Sequence, residues 1–166
     1  MRLTPAALGA TGLCAAMLAG CAGANEHEEN EAMSVQLLNP PGLQENPGFS
    51  QVAVVTGNVR TVYVGGQNAV DASGAIVGEG DIRAQTEQVL RNVELALAGA
   101  GARLEHVVKW SVYIVEGQSP QAGFEAFQRA WGDRPDPPLV TVVFVAGLAH
   151  PGFLVELEAI AVVPQD

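Results

Sequence analysis

The sequence predicts an α+β fold with the element order β-β-α-β-α-β-β. Short apolar runs bounded by Gly, Pro, Asn or Asp indicate strands at both ends of the domain. Two segments between them carry apolar residues at helical spacing. Each helix connects strands that can lie parallel, and such crossovers are almost always right-handed. Both helices are therefore expected on one face of a mixed sheet.

Length and composition predict one globular domain. The chain has 166 residues, of which 48% are hydrophobic and 16% charged, so a packed core is expected. The formal net charge is -10, and the 8 Lys and Arg residues are scattered along the chain. Because nucleic-acid binding usually requires a basic patch, no nucleic-acid partner is expected.

Residues 1–20 are interpreted as an export signal. Met1-Arg2 supplies a positive start, and the apolar run that follows ends at Ala19. This run is shorter than the roughly 20 residues that a membrane-spanning helix needs. It closes with Leu18-Ala19-Gly20-Cys21, which resembles the lipobox of bacterial lipoproteins. The alternative is an ordinary signal with a chance cysteine.

The lipobox resemblance implies cleavage before Cys21 and a lipid on its thiol. Ala22 follows the cysteine where Asp would favour the inner membrane, so the resemblance implies a lipid anchor in the cell envelope, in the outer membrane and facing the periplasm. Cys14, the other of the two cysteines, would be removed with the signal. The mature protein would then contain neither a disulfide nor a cysteine nucleophile.

Residues 21–34 are interpreted as an acidic tether, and residues 35–166 as the folded domain. The tether has no apolar period, which is typical of a solvated spacer. Its cluster Glu26-His27-Glu28-Glu29 could also bind a metal ion loosely. No metal site and no cofactor are expected in the domain.

The first half of the domain is expected to contain a loop, two strands and a helix. Residues 35–50 carry Pro-Gly turn signals and are interpreted as a loop. Strands are predicted at 52–56 and 61–65, joined by a tight hairpin turn at Gly57-Asn58. A helix is predicted over 81–98, with Asp81 as its N-terminal cap. Its buried stripe comprises Ile82, Thr86, Val89, Val93, Ala96 and Leu97.

The second half is expected to alternate strand and helix before two final strands. A strand is predicted over 106–115, and Ser119-Pro120 is typical of a helix start. Phe124, Phe127 and Trp131 are expected on the buried face of this second helix, which ends at Gly132.

The two last strands are predicted over 139–146 and 153–163. The first is apolar on both faces, which indicates burial on both sides. The second places Glu156 and Glu158 on one face, either a wet surface or the wall of a cleft. Because the helices cover only one side of the sheet, the open apolar side predicts a closed homo-oligomer with facing sheets.

Five segments spread over about residues 42–163 carry a family resemblance. They are NPGFSQ at 46–51, VGGQ at 64–67, QTEQVLRN at 85–92, FEAF at 124–127 and VELEAIA at 155–161. In this order they resemble the RidA/YjgF/YER057c/UK114 family, the reactive intermediate deaminases, once called translation inhibitors or endoribonucleases. The resemblance implies a homotrimer resembling chorismate mutase, with small-molecule clefts between subunits. It also implies hydrolysis of enamines and imines made from amino acids.

The resemblance places Val140 where active members have an arginine that pairs with the substrate carboxylate. Pro138, Thr141 and Leu148 establish this alignment. Valine cannot form the paired hydrogen bonds of a guanidinium. The loss of such a charged pair corresponds to about 2–5 kcal/mol of binding. Amino-acid-derived imines are therefore not the expected substrates.

Other cleft positions also depart from the family pattern. Phe49 stands where the family often has a tyrosine, and Gln121 where it often has an asparagine. Gly65 replaces a serine, and Gly66 matches a position whose backbone approaches ligand. A tight strand passage explains this Gly pair equally well. Val142 completes the predicted cleft wall.

Glu156 matches the family glutamate that is thought to orient water for attack on the imine carbon. Arg134 and His150 are two residues that could supply the missing cation, although a structural role is the alternative for each. Three functions are therefore compared. One is hydrolysis of another imine or small electrophile guided by Glu156, and a second is non-catalytic binding of a small ligand in the envelope. The third, ribonuclease activity, is disfavoured by the acidic charge and by the lack of a basic groove or His pair.

Overall fold

The structure, a computed structural model, describes residues 32–134 and 136–165. Its elements are β1 Ser34–Leu38, β2 Val52–Thr56, β3 Val59–Gln67, α1 Ile82–Gly99, β4 Val107–Val115, α2 Pro120–Trp131, β5 Leu139–Val145 and β6 Val155–Pro164. None of the helices in the described part combines the length and the hydropathy of a membrane span. The predicted signal, Cys21 and nearly all of the predicted tether lie outside the described residues.

The core of the domain is a four-stranded mixed sheet with the order β3-β6-β4-β5. Strand β6 pairs antiparallel with both β3 and β4, whereas β5 runs parallel to β4. The parallel pair follows from the α2 crossover, as a strand–helix–strand connection requires. Helix α1 packs on α2, β3 and β6, so both helices cover one face of the sheet. The predicted α+β architecture is confirmed.

Residues 34–38 form a strand, so the prediction of a loop over 35–50 is wrong at its start. Strand β1 pairs antiparallel with β2 in a separate two-stranded sheet. The predicted hairpin of β2 with the next strand is also wrong. The turn at Gly57, where φ is 83°, instead leads into β3, which pairs with β6. Burial of Val62 and Val64 beneath α1 explains why β3 joins the main sheet.

Both helices begin where the capping residues predict. The Asp81 carboxylate accepts hydrogen bonds from the backbone N–H groups of Arg83 and Ala84, at 2.9 and 3.2 Å. The Ser119 hydroxyl oxygen accepts one from Ala122 N–H at 3.4 Å. These bonds satisfy donors that the first helical turn leaves unpaired.

The buried stripe of α1 is confirmed except at Ala96, which is only partly buried, and the structure adds Leu90 and Gln85 to it. Gln85 was missed because an amide breaks the apolar period, yet its side chain is 0% exposed. Its Nε2 donates to Gly152 O and its Oε1 accepts from Leu154 N, both at 2.8 Å. Buried polar groups are tolerated when they are paired in this way.

Strand β5 lies at an edge of the sheet, and the prediction that it is buried on both sides does not hold within one chain. Val142, Val143 and Phe144 are 50%, 41% and 50% exposed. A long apolar edge strand of this kind is a ready surface for association. Phe124 also departs from the expected burial: it is 41% exposed, because it lies at the rim of a cavity and not in the core.

Candidate functional site

A cavity of about 480 Å³ lies on the helix-covered side of the sheet, beside the first turns of α2. Residues from the loop before β2, from α1 and α2, and from strands β4, β5 and β6 form its wall. They are Asn46, Gly48, Phe49, Ile82, Thr86, Trp110, Val112, Ile114, Pro120, Gln121, Gly123, Phe124, Phe127, Val140, Val142, Val155 and Leu157.

Strand register produces the floor of this cavity. In the parallel pair, Trp110 lies beside Val140 and Val112 beside Val142. Because side chains alternate along a strand, these four residues share the face that α2 covers. The Phe127 ring meets the Trp110 ring edge to face, with centroids 5.9 Å apart. The floor is therefore aliphatic and aromatic.

The cavity wall contains no charged side chain among the described residues. Three of its polar side chains form hydrogen bonds within the chain, whereas the buried Trp110 Nε1 has no partner among the described residues. Asn46 Oδ1 accepts from Gly48 N at 2.8 Å, and the Thr86 hydroxyl donates to Ile82 O at 2.8 Å. Gln121 Nε2 donates to Glu125 Oε1 at 3.3 Å. An isolated charge would be costly in such a site, whereas a neutral apolar molecule would be favoured.

Neither residue considered as a substitute cation lines the cavity. The Arg134 guanidinium donates to the carbonyls of Ala130 and Trp131 at the end of α2. It also lies 5.5 Å from the centre of the Trp131 ring. His150 is exposed, and its Nδ1 accepts from Gly152 N at 3.0 Å. Both side chains thus have local structural partners.

An ion pair lies just outside the cavity, where α1 meets α2. Arg83 Nη2 and Glu125 Oε2 are 2.6 Å apart. The guanidinium lowers the pKa of the Glu125 carboxyl, and the Gln121 amide lowers it further. The pair is well exposed, so its contribution to stability is small.

Glu156 projects from the opposite face of the sheet. It pairs in register with Tyr113, whereas Leu157, its neighbour, faces the cavity. Val140 and Glu156 therefore point to opposite sides within one chain. A site that uses both residues requires two copies of the chain.

Gly66 and Glu156 are in contact on that opposite face. The pairing of β3 with β6 is irregular between Val64 and Gln67, which places Gly65 and Gly66 in a bulge. Bulges of this kind often re-aim side chains near functional sites. Asn68, just beyond the bulge, donates from Nδ2 to Glu156 Oε2 at 3.0 Å.

Glu158 lies two residues further along the same face. Its Oε2 accepts a hydrogen bond from the Tyr113 hydroxyl at 3.1 Å. This hydrogen bond and the carboxylate charge raise the pKa of Tyr113. The sequence placed Glu158 on this face but did not indicate its partner.

The residues predicted for the site fall into two groups. Phe49, Gln121, Val140 and Val142 line the cavity, whereas Gly65, Gly66 and Glu156 lie together on the other face. Sequence reasoning missed Trp110 and Asn68. The available signal for Asn68 was its position directly after the VGGQ segment.

Comparisons with known proteins agree with the described domain. The family described as Endoribonuclease L-PSP matches residues 43–163. A RutC family protein of Pyrococcus abyssi is 34% identical over 113 residues, which are 68% of this chain and 84% of that protein. A solved protein of unknown function of the Rid family, from Yersinia pestis, has a TM-score of 0.69 and 33% identity, covering 79% of this chain and 100% of its own. The structure of E. coli TdcF with bound serine has a TM-score of 0.56 and 27% identity, covering 62% and 80% of the two chains.

Proposed function

The chain belongs to the RidA/YjgF family, and from this membership we propose that it is an envelope-anchored member that binds small neutral molecules in clefts between subunits. The ligand would lie against the wall formed by Phe49, Gln121, Val140 and Val142. Glu156 would be contributed to the same cleft by a second copy of the chain.

The observation that carries this proposal is that no cationic side chain lines the described cavity wall, with Val140 at its floor. A carboxylate that leaves water needs a cation or several hydrogen-bond donors to offset its desolvation. The valines and three phenylalanines of the described wall supply neither, the Gln121 amide is already bonded to Glu125, and the Trp110 N–H is a single donor. Serine, which the TdcF structure contains, carries such a carboxylate, and we expect this chain to bind it weakly.

Matched ligand pairs test the proposal. Benzamide and benzoate have nearly the same shape and differ in charge, as do isobutyramide and isobutyrate. Each is titrated into the purified full chain while the signals of Trp110 and Trp131 are followed. We expect the neutral member of each pair to bind at least about 30-fold more tightly, because burying an unpaired carboxylate costs at least about 2 kcal/mol. Equal or tighter binding of the carboxylates would contradict the proposal.

A second candidate is hydrolysis of a neutral imine, with Glu156 orienting the attacking water. The hydrogen bond from Asn68 favours this candidate, because it holds the carboxylate in one place. An amine oxidase generates neutral imines in solution, and an amino acid oxidase generates iminoacids. We expect the protein to accelerate loss of the former only, and Glu156→Gln to abolish the acceleration. Faster loss of iminoacids would show that Val140 does not exclude them.

A further inference from the structure

Helix α1 carries an amide side chain that binds the segment after the Gly65-Gly66 bulge. Asn92 Nδ2 donates to Asn68 O at 2.9 Å and to Val70 O at 2.8 Å. Its Oδ1 accepts from Gln88 Nε2 at 2.9 Å. Both functions of the Asn92 amide are thus in use, and its geometry is tightly constrained.

Asn68 connects this clamp to the carboxylate. Its backbone carbonyl is held by Asn92, and its own side chain donates to Glu156 Oε2 at 3.0 Å. Holding the main chain of Asn68 therefore limits where its amide can point. The chain of hydrogen bonds begins at Arg91, whose Nε and Nη2 donate to Gln88 Oε1 at 3.2 and 2.8 Å. It runs from the exposed surface of α1 to the far face of the sheet.

We propose that Asn92 is a positioning residue that acts through Asn68 to hold the Glu156 carboxylate in one orientation. The inference rests on the proposed role of Glu156 in the ligand cleft, but the contacts that carry it lie within one chain. It also assigns a purpose to part of the QTEQVLRN segment, since Gln88 and Asn92 lie on one side of α1, four residues apart. Asn92 itself would not touch the ligand.

A positioning role for Asn92 and a role in loop support alone predict different effects of removing its side chain. If Asn92 only supported the loop, its removal would loosen residues 68–70 without changing the contact between the Asn68 amide and Glu156. If Asn92 positions Asn68, its removal also breaks the hydrogen bond from the Asn68 side-chain amide to the Glu156 carboxylate. Exchange of the amide protons of that side chain with solvent is then expected to rise about tenfold, the factor that corresponds to one ordinary hydrogen bond.

The experiment measures side-chain amide exchange in the 15N-labelled full chain by NMR, with no ligand present. Asn92→Ala is expected to speed exchange at Asn68 about tenfold. Glu156→Gln, which removes the charge of the acceptor, is expected to shift the same resonances. Asn58→Ala is the control, because it deletes a surface amide that donates to Gln165 O at 3.3 Å, remote from this network. The indole N–H signals of Trp110 and Trp131 report whether the fold is intact.

Unchanged Asn68 exchange in Asn92→Ala, with intact indole signals, would overturn the proposal. If Asn92→Ala fails to fold, Asn92→Asp replaces it, since that side chain still accepts from Gln88 but cannot donate to Asn68 O. The result does not depend on any ligand or activity. Failure of the positioning proposal can therefore be distinguished from failure of the proposed function.

Discussion

The Glu156 side chain occupies the space where a side chain at Gly66 would begin. A Cβ atom built on Gly66 would lie 2.7 Å from Glu156 Cδ and closer still to Oε1. The neighbouring Gly65 has nothing within 4 Å of the same position. A side chain at residue 66 would thus displace the carboxylate from its present position, whereas one at residue 65 would meet no neighbour in the described chain.

Gly66→Ala is expected to displace Glu156 and break its hydrogen bond with Asn68. The fold should survive, because the crowded atoms belong to the movable end of a side chain. Loss of a hydrogen bond to a charged group predicts a decrease of about 1–3 kcal/mol in the free energy of unfolding. Urea unfolding measures it, with Gly65→Ala as the matched control that should stay within about 0.5 kcal/mol of the parent. Equal stability of the two variants would show that residue 66 does not crowd the Glu156 side chain in solution.

Val140→Arg is expected to convert the cavity into a carboxylate site. A guanidinium at residue 140 could form an ion pair with a carboxylate inside an apolar cavity. Benzoate should therefore bind to the variant at least about 30-fold more tightly than to the parent. The unpaired cation should also lower stability when no ligand is present. Isothermal titration gives the affinity, and Val140→Met controls for side-chain length without charge. If Val140→Met strengthens benzoate binding as much, charge is not what the cavity lacks.

The exposed β5 edge predicts self-association in solution, and the family resemblance predicts that the assembly is a homotrimer. Phe144 is 50% exposed in the single chain, and we expect a neighbouring copy to cover it. Phe144→Glu should then yield smaller species in light scattering, because burying an unpaired carboxylate in an apolar interface is unfavourable. Leu95→Glu is the control, since Leu95 is an isolated apolar residue on α1 that is 72% exposed. A monomeric parent at micromolar concentration would contradict this expectation.

The Tyr113 hydroxyl should lose its proton at higher pH than an ordinary tyrosine. Its pKa is raised chiefly by the hydrogen bond to Glu158 and then by the charge of that carboxylate. Since the folded-state pKa lies above the unfolded value of about 10, the contact stabilises the fold below that pH. The stabilisation is lost as the pH rises through the folded-state pKa.

Absorbance at 295 nm measures this ionisation. The chain has 2 tyrosines, so a Tyr63→Phe background leaves Tyr113 as the reporter. Glu158→Gln in that background should bring tyrosinate formation to lower pH. An unchanged titration curve would mean that Glu158 does not bind Tyr113 in solution.

Lipid attachment is expected to depend on Cys21. Mass spectrometry of the mature protein from a host with an outer membrane should find a lipid-modified N-terminal cysteine. Cys21→Ala should move the protein from the membrane fraction to the soluble fraction, because two acyl chains anchor stably and an acidic tether does not. Recovery of the variant in the membrane fraction would argue for another mode of attachment.

Much of the fold could be predicted from residues that are close together in the sequence. Asp81 and Ser119 predicted the helix starts, and the stripe from Ile82 to Leu97 predicted which face of α1 is buried. The alternation in β6 likewise predicted that Glu156 and Glu158 share one face. Such patterns depend on residues only a few positions apart, and the preferences of one turn or one strand act locally.

Two features could be found only from the tertiary structure. One is the pairing of β1 with β2, and the other is the division of the predicted site residues between the two faces of the sheet. Val140 and Glu156 each lie within an apolar strand. Alternation within one strand shows which of its residues share a face, but it does not show whether residues of two different strands lie on the same face of the sheet. The register of β5 and β6 on β4 determines which residues of the two strands share a face. Residue type thus determined that no cation stands at residue 140. The packing of strands distant in sequence decided that Glu156 lies on the other face, held by Asn68, because strand order and register depend on contacts that local sequence does not encode.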